Sequence, residues 1–443
     1  MTTSHDITAT LAHHIVNTLP DTAALNVARD GVMDFVATSL PIAQGAIHDS
    51  NLTPLRQVFS ASDSLTRSVI LGYVGHALDF DDYHPAFRGH PSTVILPALF
   101  ALSAEDTRLR EADFLAAYVI GVEVAGRIGL AAGARHYGLG YHNTATLGAI
   151  AAAAAAARLI GVSVTQTQNI LGLAATQAAG LRAQFGSAVK PLHAGLSARA
   201  GLTATKLALA GFSGNATQVL DDFLSSHGDG QQHPEKLSEN WGTPWRIVTP
   251  GLEFKSYPTC GGTHSAGEAA FALRQQWLAQ HGDIPSLIAR VENITVAFPP
   301  GGDVAPFIHK AATGMEGRFS LEYVIAAGLL EGELTLARFA EGPVDEVIAA
   351  LADKVTRQPD QSAPPDELNP DARFHRVTLH LTDGESLTVT VTRQQTVAHK
   401  TDLIAKLRQN LQSLAQLDVA RIQASCALHK PGDIAYLNQL LLN

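Results

Sequence analysis

Cysteine is nearly missing from this chain: its 443 residues include two, Cys260 and Cys426. Two thiols cannot form a disulfide framework or ligate an iron–sulfur cluster by themselves, and their scarcity suits a reducing cytoplasm, the expected location. Charge is also sparse. Charged residues make up 16% of the sequence, against 46% hydrophobic, and the net charge of -10 leaves no clustered Lys and Arg for a phosphate backbone. No nucleic-acid partner is expected. The N-terminal MTTSHDITATLAHHIVNTLP lacks the basic start and unbroken apolar core of a signal peptide. The most membrane-like run, TATLGAIAAAAAAARLIG from Thr144 to Gly161, is short, Ala-rich and carries Arg158, which predicts a buried core helix and no membrane partner. The phosphate loops GxGxxG and GxxxxGK[ST] are missing, as are HExxH and any Cys–His zinc spacing, so neither a nucleotide cofactor nor a zinc site is expected.

What the chain does contain is apolar helical periodicity. From residue 6 to about 250, stretches such as ADFLAAYVIGVEVAGRIGLAAG and residues 143–160, 164–180, 191–211 and 215–225 repeat at helical spacing, with Gly161 and Gly211 where C-terminal caps belong. The character changes after about residue 265. RVENITVAFPPGG (290–302) alternates like a strand, and RFHRVTLHLTDGESLTVTVTR (373–393) predicts a hairpin turning at Asp383-Gly384. Helices are predicted at 319–333 and 343–357, a solvated Pro-rich loop at 357–372, and helix again over 401–443. The expected fold is mainly α: a large all-helical domain from 1–265 and 399–443, with a smaller α+β lid domain from 266–398.

Between two apolar segments lies DFDDYHPAFRGHP, Asp79 to Pro91, with three carboxylates, two imidazoles, a phenol and a guanidinium. Other histidines share one kind of position. His90 precedes Pro91, His142 precedes NTATLGAIAAA, His193 follows Lys190-Pro191 in the first turn of a helix, and His264 precedes a capping box, Ser265 to Glu268. Helix N-termini offer free N–H groups and positive dipole ends, and with Lys190 and several imidazoles they suit a substrate bearing two or three carboxylates. Imidazole also moves protons near neutrality. A magnesium site would need carboxylates spaced along one helical face, a spacing that Tyr83-His84-Pro85 breaks, so metal-independent acid–base chemistry is the expectation. Asp81 and Asp82 read as local caps or pairs, Lys255 as lining the site or ending the domain crossover, and Cys260 as packing.

Four blocks then carry a resemblance: HALDFDDYHPAFRGHPSTVILPAL, YHNTATLGAIAAAAAAARLIGV, GSAVKPLHAGLSARAGLTATKLALAGFSG and FKSYPTCGGTHSAGEAA. In that order they resemble the MmgE/PrpD family, which includes 2-methylcitrate dehydratase, cis-aconitate decarboxylase and iminodisuccinate epimerase. The resemblance implies a helical domain with an α+β lid, a homodimer, an active site between the domains, and no metal or organic cofactor. Position by position it marks Asp79, His90, His142, Lys190, His193 and His264, and a lid tyrosine, Tyr323. Where decarboxylase-like members carry DFDDTWHPATHP, this chain has Tyr83 in place of Thr and one more residue before His90, including Arg88.

The expected chemistry begins with removal of a C–H proton beside a carboxylate. His142 or His90 would act as base and acid with Asp79 orienting, while Lys190 and His193 hold negative charge. Tyr83 or Tyr323 would return a proton from the opposite face, with Tyr83, Arg88, His193 and His264 binding the substrate. Tyr83 and Arg88 suit a small dicarboxylate, which places epimerisation of iminodisuccinate first. A 2-methylcitrate dehydratase-like or cis-aconitate decarboxylase-like lyase comes second, and a non-catalytic carboxylate-binding protein is a remote third.

Overall fold

The computed structural model describes residues 6–442. Its larger core is made of helices. Those that position the site are α1 (Thr22–Ala43), α2 (Ser64–His76), α3 (Ser92–Glu105), α4 (Glu111–Gly138), α5 (Asn143–Ile160) and α6 (Val189–Leu209). Further along the chain come α7 (His264–His281), α8 (Leu321–Glu331) and α9 (Leu403–Leu411). Both ends of the chain enter this core, since Leu11 and Ile15 are buried in the same cluster as Leu407, Ile422 and Leu437. α5 is buried nearly all round because Ala side chains fill most of its turns, which brings neighbouring helices close. At the crossing of α2 and α6 the approach is closest. A Cβ at Gly72 would lie 2.5 Å from the Gly195 Cα, so both positions must be glycine. α4 and α5 are long and apolar enough to cross a membrane, yet 89% of the most apolar window of each is buried inside the protein.

A second core gathers Leu273 and Trp277 of α7, Val324 and Ile325 of α8, and one face of a four-stranded sheet. The strands are β1 (Val291–Phe298), β2 (Val355–Pro359), β3 (Phe374–Leu381) and β4 (Ser386–Thr392), in the order β2-β1-β3-β4. β1 pairs with β2 in parallel and with β3 antiparallel. β3 and β4 form the predicted hairpin, and Gly384 at its turn has φ +88°. Burial alternates along β3, with His375, Val377, Leu379 and Leu381 inward, as the period of two requires.

Several local expectations change. The helix expected over 343–357 ends at Ala352, and the residues after it form β2, whose short polar sequence VTRQP has only Val355 buried and so carries no alternation to read. The capping box at Ser265–Glu268 does not form. α7 starts at His264 with Thr263 in the cap position, two residues earlier, Ser265 Oγ hydrogen-bonds His375 Nδ1, and Glu268 accepts from Thr396. Gly161 caps α5 with φ +75°, whereas Gly211 sits one residue beyond the Ala210 cap of α6.

Candidate functional site

The DFDD segment begins directly after α2, and Asp79 takes a positive φ of 49°. Two contacts hold the segment. Tyr83 exchanges backbone hydrogen bonds with Glu253 at 2.9 and 2.8 Å, which draws the chain leading to Lys255 alongside Asp79. From the other side α4 presses on it at Gly129, where a Cβ would meet Ala86 O at 2.2 Å. One of the segment's two histidines is structural: His84 Nε2 donates to Arg246 O at 2.9 Å, and its Nδ1 accepts from Phe87 N.

At the centre, Asp79 Oδ1 accepts from Lys190 Nζ at 2.7 Å and from Lys255 Nζ at 2.9 Å. All three residues are at most 5% exposed. Lys255 also donates to Asp79 O at 2.8 Å, and Lys190 to His76 Nε2 at 2.8 Å. His76 Nδ1 then donates to Asp81 at 2.9 Å. Asp81 lies 3.0 Å from His90 Nδ1 as well, and that nitrogen donates to Asp82 O at 2.6 Å. With Nδ1–H committed, the lone pair of a neutral His90 sits on Nε2, for which no described residue is a hydrogen-bond partner. His142 Nδ1 and His193 Nδ1 are 3.1 Å apart and share one proton. Asp79 Oδ2 is buried with no partner among the described residues.

The electrostatics follow from burial and these pairings. Burial alone would raise the Asp79 carboxyl, but Lys190 and Lys255 beside it hold it well below the carboxylate range. Asp81 is likewise held low against burial by His76 and His90. Burial lowers His76 and His264 to about 3 and His193 to about 4. It also lowers His90, and His142 goes well below its usual value from burial reinforced by Lys190. At neutral pH these imidazoles are bases. The two lysines part: burial brings Lys190 down, while for Lys255 the nearby Asp79 and Asp81 more than offset it. Asp82, facing Asp34 and Asp81, is pushed well above the usual carboxylate range by burial. It accepts from Ser92, which also meets Tyr118, in a buried polar knot that braces the loop.

These groups open onto a cleft of about 1070 Å³ between the two cores. Asp79, Tyr83, Arg88, His90, His142, Lys190 and His264 line it. His193 stands behind His142, and His264 Nε2 donates to Thr259 O at 3.2 Å. Tyr323 is not brought to the cleft. Its amide caps α8 through Ser320, and its ring packs edge-on to Phe339 in the second core. The apolar neighbours on α8 carry it inward, and a lone tyrosine in RFSLEYV gives no sign of that direction. His76, Lys255 and Asp81 prove as close to the centre as any residue singled out. His76 reaches it through Lys190, 114 positions away, a proximity no local spacing reveals. Nothing in the sequence marks Arg318. It donates to Ala77 O and Phe339 O, tying the second core to the end of α2. Cys260 packs with Phe185 and Phe319, and burial raises its thiol pKa.

Donor atoms of His76, Asp79, Asp81 and His90 fall within 4.8 Å of one another, close enough to hold a cation. The donor set argues otherwise. Asp79 already faces two ammonium groups, both nitrogens of His76 are engaged, and a divalent ion would sit directly against Lys190.

Two family descriptions match the chain and together span most of it. Residues 5–224 match the MmgE/PrpD N-terminal domain, and residues 257–429 match the MmgE/PrpD C-terminal domain. The chain belongs to the MmgE/PrpD family. Among its curated relatives, cis-aconitate decarboxylase of Mus musculus is 30% identical over 333 residues, which cover 72% of this chain and 64% of that protein. The human cis-aconitate decarboxylase is 29% identical over 335 residues, with coverage of 72% and 65%. The Aspergillus terreus (strain NIH 2624 / FGSC A1156) enzyme of the same name is 30% identical over 336, with 71% and 67%. The chain thus spans just under two thirds of the mouse and human proteins. In MmgE/PrpD terms, Asp79, Lys190 and the His142–His193 pair fall in the first matched domain, and Lys255 lies in the stretch between the two.

Proposed function

We propose that this protein is a cofactor-independent lyase acting on a small tricarboxylate, with decarboxylation of cis-aconitate the first reaction to test. The observation that carries the reading is Asp79 Oδ1 shared by two buried ammonium groups, with uncharged imidazoles on the same cleft. Such a site binds carboxylates and offers both fixed positive charge and proton carriers. The names of the relatives support a lyase over epimerisation of iminodisuccinate.

In the proposed reaction, the carboxylate on the saturated CH2 leaves as CO2. The electron pair of the broken C–C bond forms a new double bond to the central carbon. The original double-bond pair shifts to the outer CH, which takes up one proton and becomes CH2. The product is methylenesuccinate, and each turnover consumes one proton. Lys190 and Lys255 stabilise the charge that spreads toward the outer carboxylate. His142, backed by His193, donates the proton, and His90 with Asp81 is the second carrier. His142 is neutral in the free protein because burial and Lys190 hold it so. Three substrate carboxylates beside it offset that field, so binding and protonation are coupled.

Proton NMR with EDTA present tests the reading against cis-aconitate, 2-methylcitrate, citrate and iminodisuccinate. New =CH2 signals with CO2 release from cis-aconitate support it. Olefinic signals from a hydroxy acid would make the enzyme a dehydratase, and deuterium exchange with interconversion of iminodisuccinate stereoisomers would restore the epimerase. Tricarboxylate binding with all four compounds unchanged would favour a non-catalytic binding protein.

A further inference from the structure

The cleft has several cations, and most are already satisfied. Lys190 and Lys255 face Asp79, Arg373 is paired with Asp366, and Arg393 binds Glu253 with both oxygens within 2.7 Å. Arg182 differs. Among the described residues it has no carboxylate partner, its Nε is buried without an acceptor, and its one side-chain hydrogen bond, to Val304 O, is 3.5 Å long. Its guanidinium is nevertheless fixed, with Cζ 4.3 Å from the centre of the Tyr137 ring. Its backbone is fixed too. Arg182 N donates to Gly140 O at 2.9 Å, and two residues earlier Gly180 O accepts from His142 N at 3.1 Å. That antiparallel contact sets Arg182 beside the His142 end of the site. Tyr137 and Tyr83 both line the cleft, and neither hydroxyl has a hydrogen-bond partner among the described residues.

An oriented guanidinium and an unpartnered phenol, beside the reaction centre and separate from its lysines, need acceptor oxygens. We propose that Arg182, stacked on Tyr137, binds a substrate carboxylate remote from the bond that breaks, and so selects tricarboxylates over dicarboxylates. This rests on the polycarboxylate reading above. The guanidinium presents a planar fork to that carboxylate, and the Tyr137 hydroxyl adds a donor beside it. Arg182 binds and discriminates without taking part in proton transfer.

The test is calorimetric titration of the whole protein with two inert ligands, propane-1,2,3-tricarboxylate and butanedioate. The wild type should bind the tricarboxylate about 10- to 100-fold more tightly, the range of one charge-assisted interaction. Arg182→Gln should erase that preference while leaving butanedioate affinity unchanged. Arg182→Lys should restore part of it, and Tyr137→Phe should lose a smaller part. With cis-aconitate as substrate, Arg182→Gln should raise KM by a similar factor and leave kcat within a few-fold. Equal tricarboxylate affinity in wild type and Arg182→Gln would overturn the proposal while sparing the polycarboxylate reading, and so would a loss of equal size for both ligands. A wild type that binds neither ligand would overturn both.

Discussion

Replacing Asp79 by Asn removes one charge and almost no volume, which isolates the electrostatics of the centre. The carboxylate holds Lys190 at 2.7 Å and Lys255 at 2.9 Å, with all three groups buried. Removing one partner of a buried pair costs about 3–5 kcal/mol, because the remaining charge is left uncompensated. Here two ammonium groups are left facing each other, so Asp79→Asn should lose at least that much at pH 7. The cost should depend on pH with a definite sign. Without Asp79, burial depresses the folded-state lysine pKa below the unfolded value of about 10.4, so the unfolded chain binds more protons between the two. The stability of the variant therefore rises with pH across that window, and its deficit against wild type shrinks as a lysine deprotonates. Urea denaturation at pH 7 and pH 9.5 measures both effects, read as a shift in midpoint at constant slope. A second substitution, Lys255→Met in the Asp79→Asn background, should recover part of the loss. A deficit under 1 kcal/mol at pH 7, or one that does not change by pH 9.5, would show that these ion pairs do not hold the centre together.

Acid should destabilise the wild type early. His76, His90, His142, His193 and His264 all have folded pKa values below the ordinary one. Their stabilising contribution is complete above about 6.5 and is lost as pH falls toward the folded values, at up to about 1.4 kcal/mol per pH unit for each. Thermal midpoints measured from pH 7.5 to 4.5 should fall steeply below 6.5, and the fall should be shallower in His193→Gln. Gly129→Ala drives a methyl into the Ala86 carbonyl, and since backbone must move, it should cost about 1–3 kcal/mol and lower kcat. Differential scanning calorimetry beside a rate assay checks both. Lys406→Met should cost about 3–5 kcal/mol and lower turnover, because Lys406 Nζ donates to Asp34 at 2.6 Å, to Phe80 O at 2.7 Å and to Lys255 O at 3.0 Å. Wild-type kcat in that variant would show that the Phe80 and Lys255 backbones hold their places without it.

The sequence exposes what is periodic or locally capped. The Ala-rich α5, the hairpin at Asp383-Gly384 and the His142 helix start can be read because each signal fits within one or two turns of chain. β2 cannot, because its pairing with β1 joins segments some sixty residues apart and only Val355 is buried. The site divides in the same way. Asp79, His90 and Lys190 lie in visibly polar segments, whereas His76 closes an apolar helix and looks like packing until Lys190 meets it. Tyr323 shows the converse. Its block fits the resemblance, but the apolar neighbours on α8 turn it into the second core.

Lys406 lies on α9, which packs against α1, while the backbone carbonyls it secures belong to residues 326 and 151 positions earlier. A chain emerging from the ribosome therefore presents Asp34, Phe80 and Lys255 well before the ammonium that ties them together. Until α9 arrives, Asp34 has no cationic partner among the described residues and the loop lacks one of its clamps, and the whole second core must be made in the interval. The candidate site is thus completed late in synthesis. A nascent chain stalled after the second core would already contain every residue proposed for chemistry, yet would lack the last of the contacts that hold them in place.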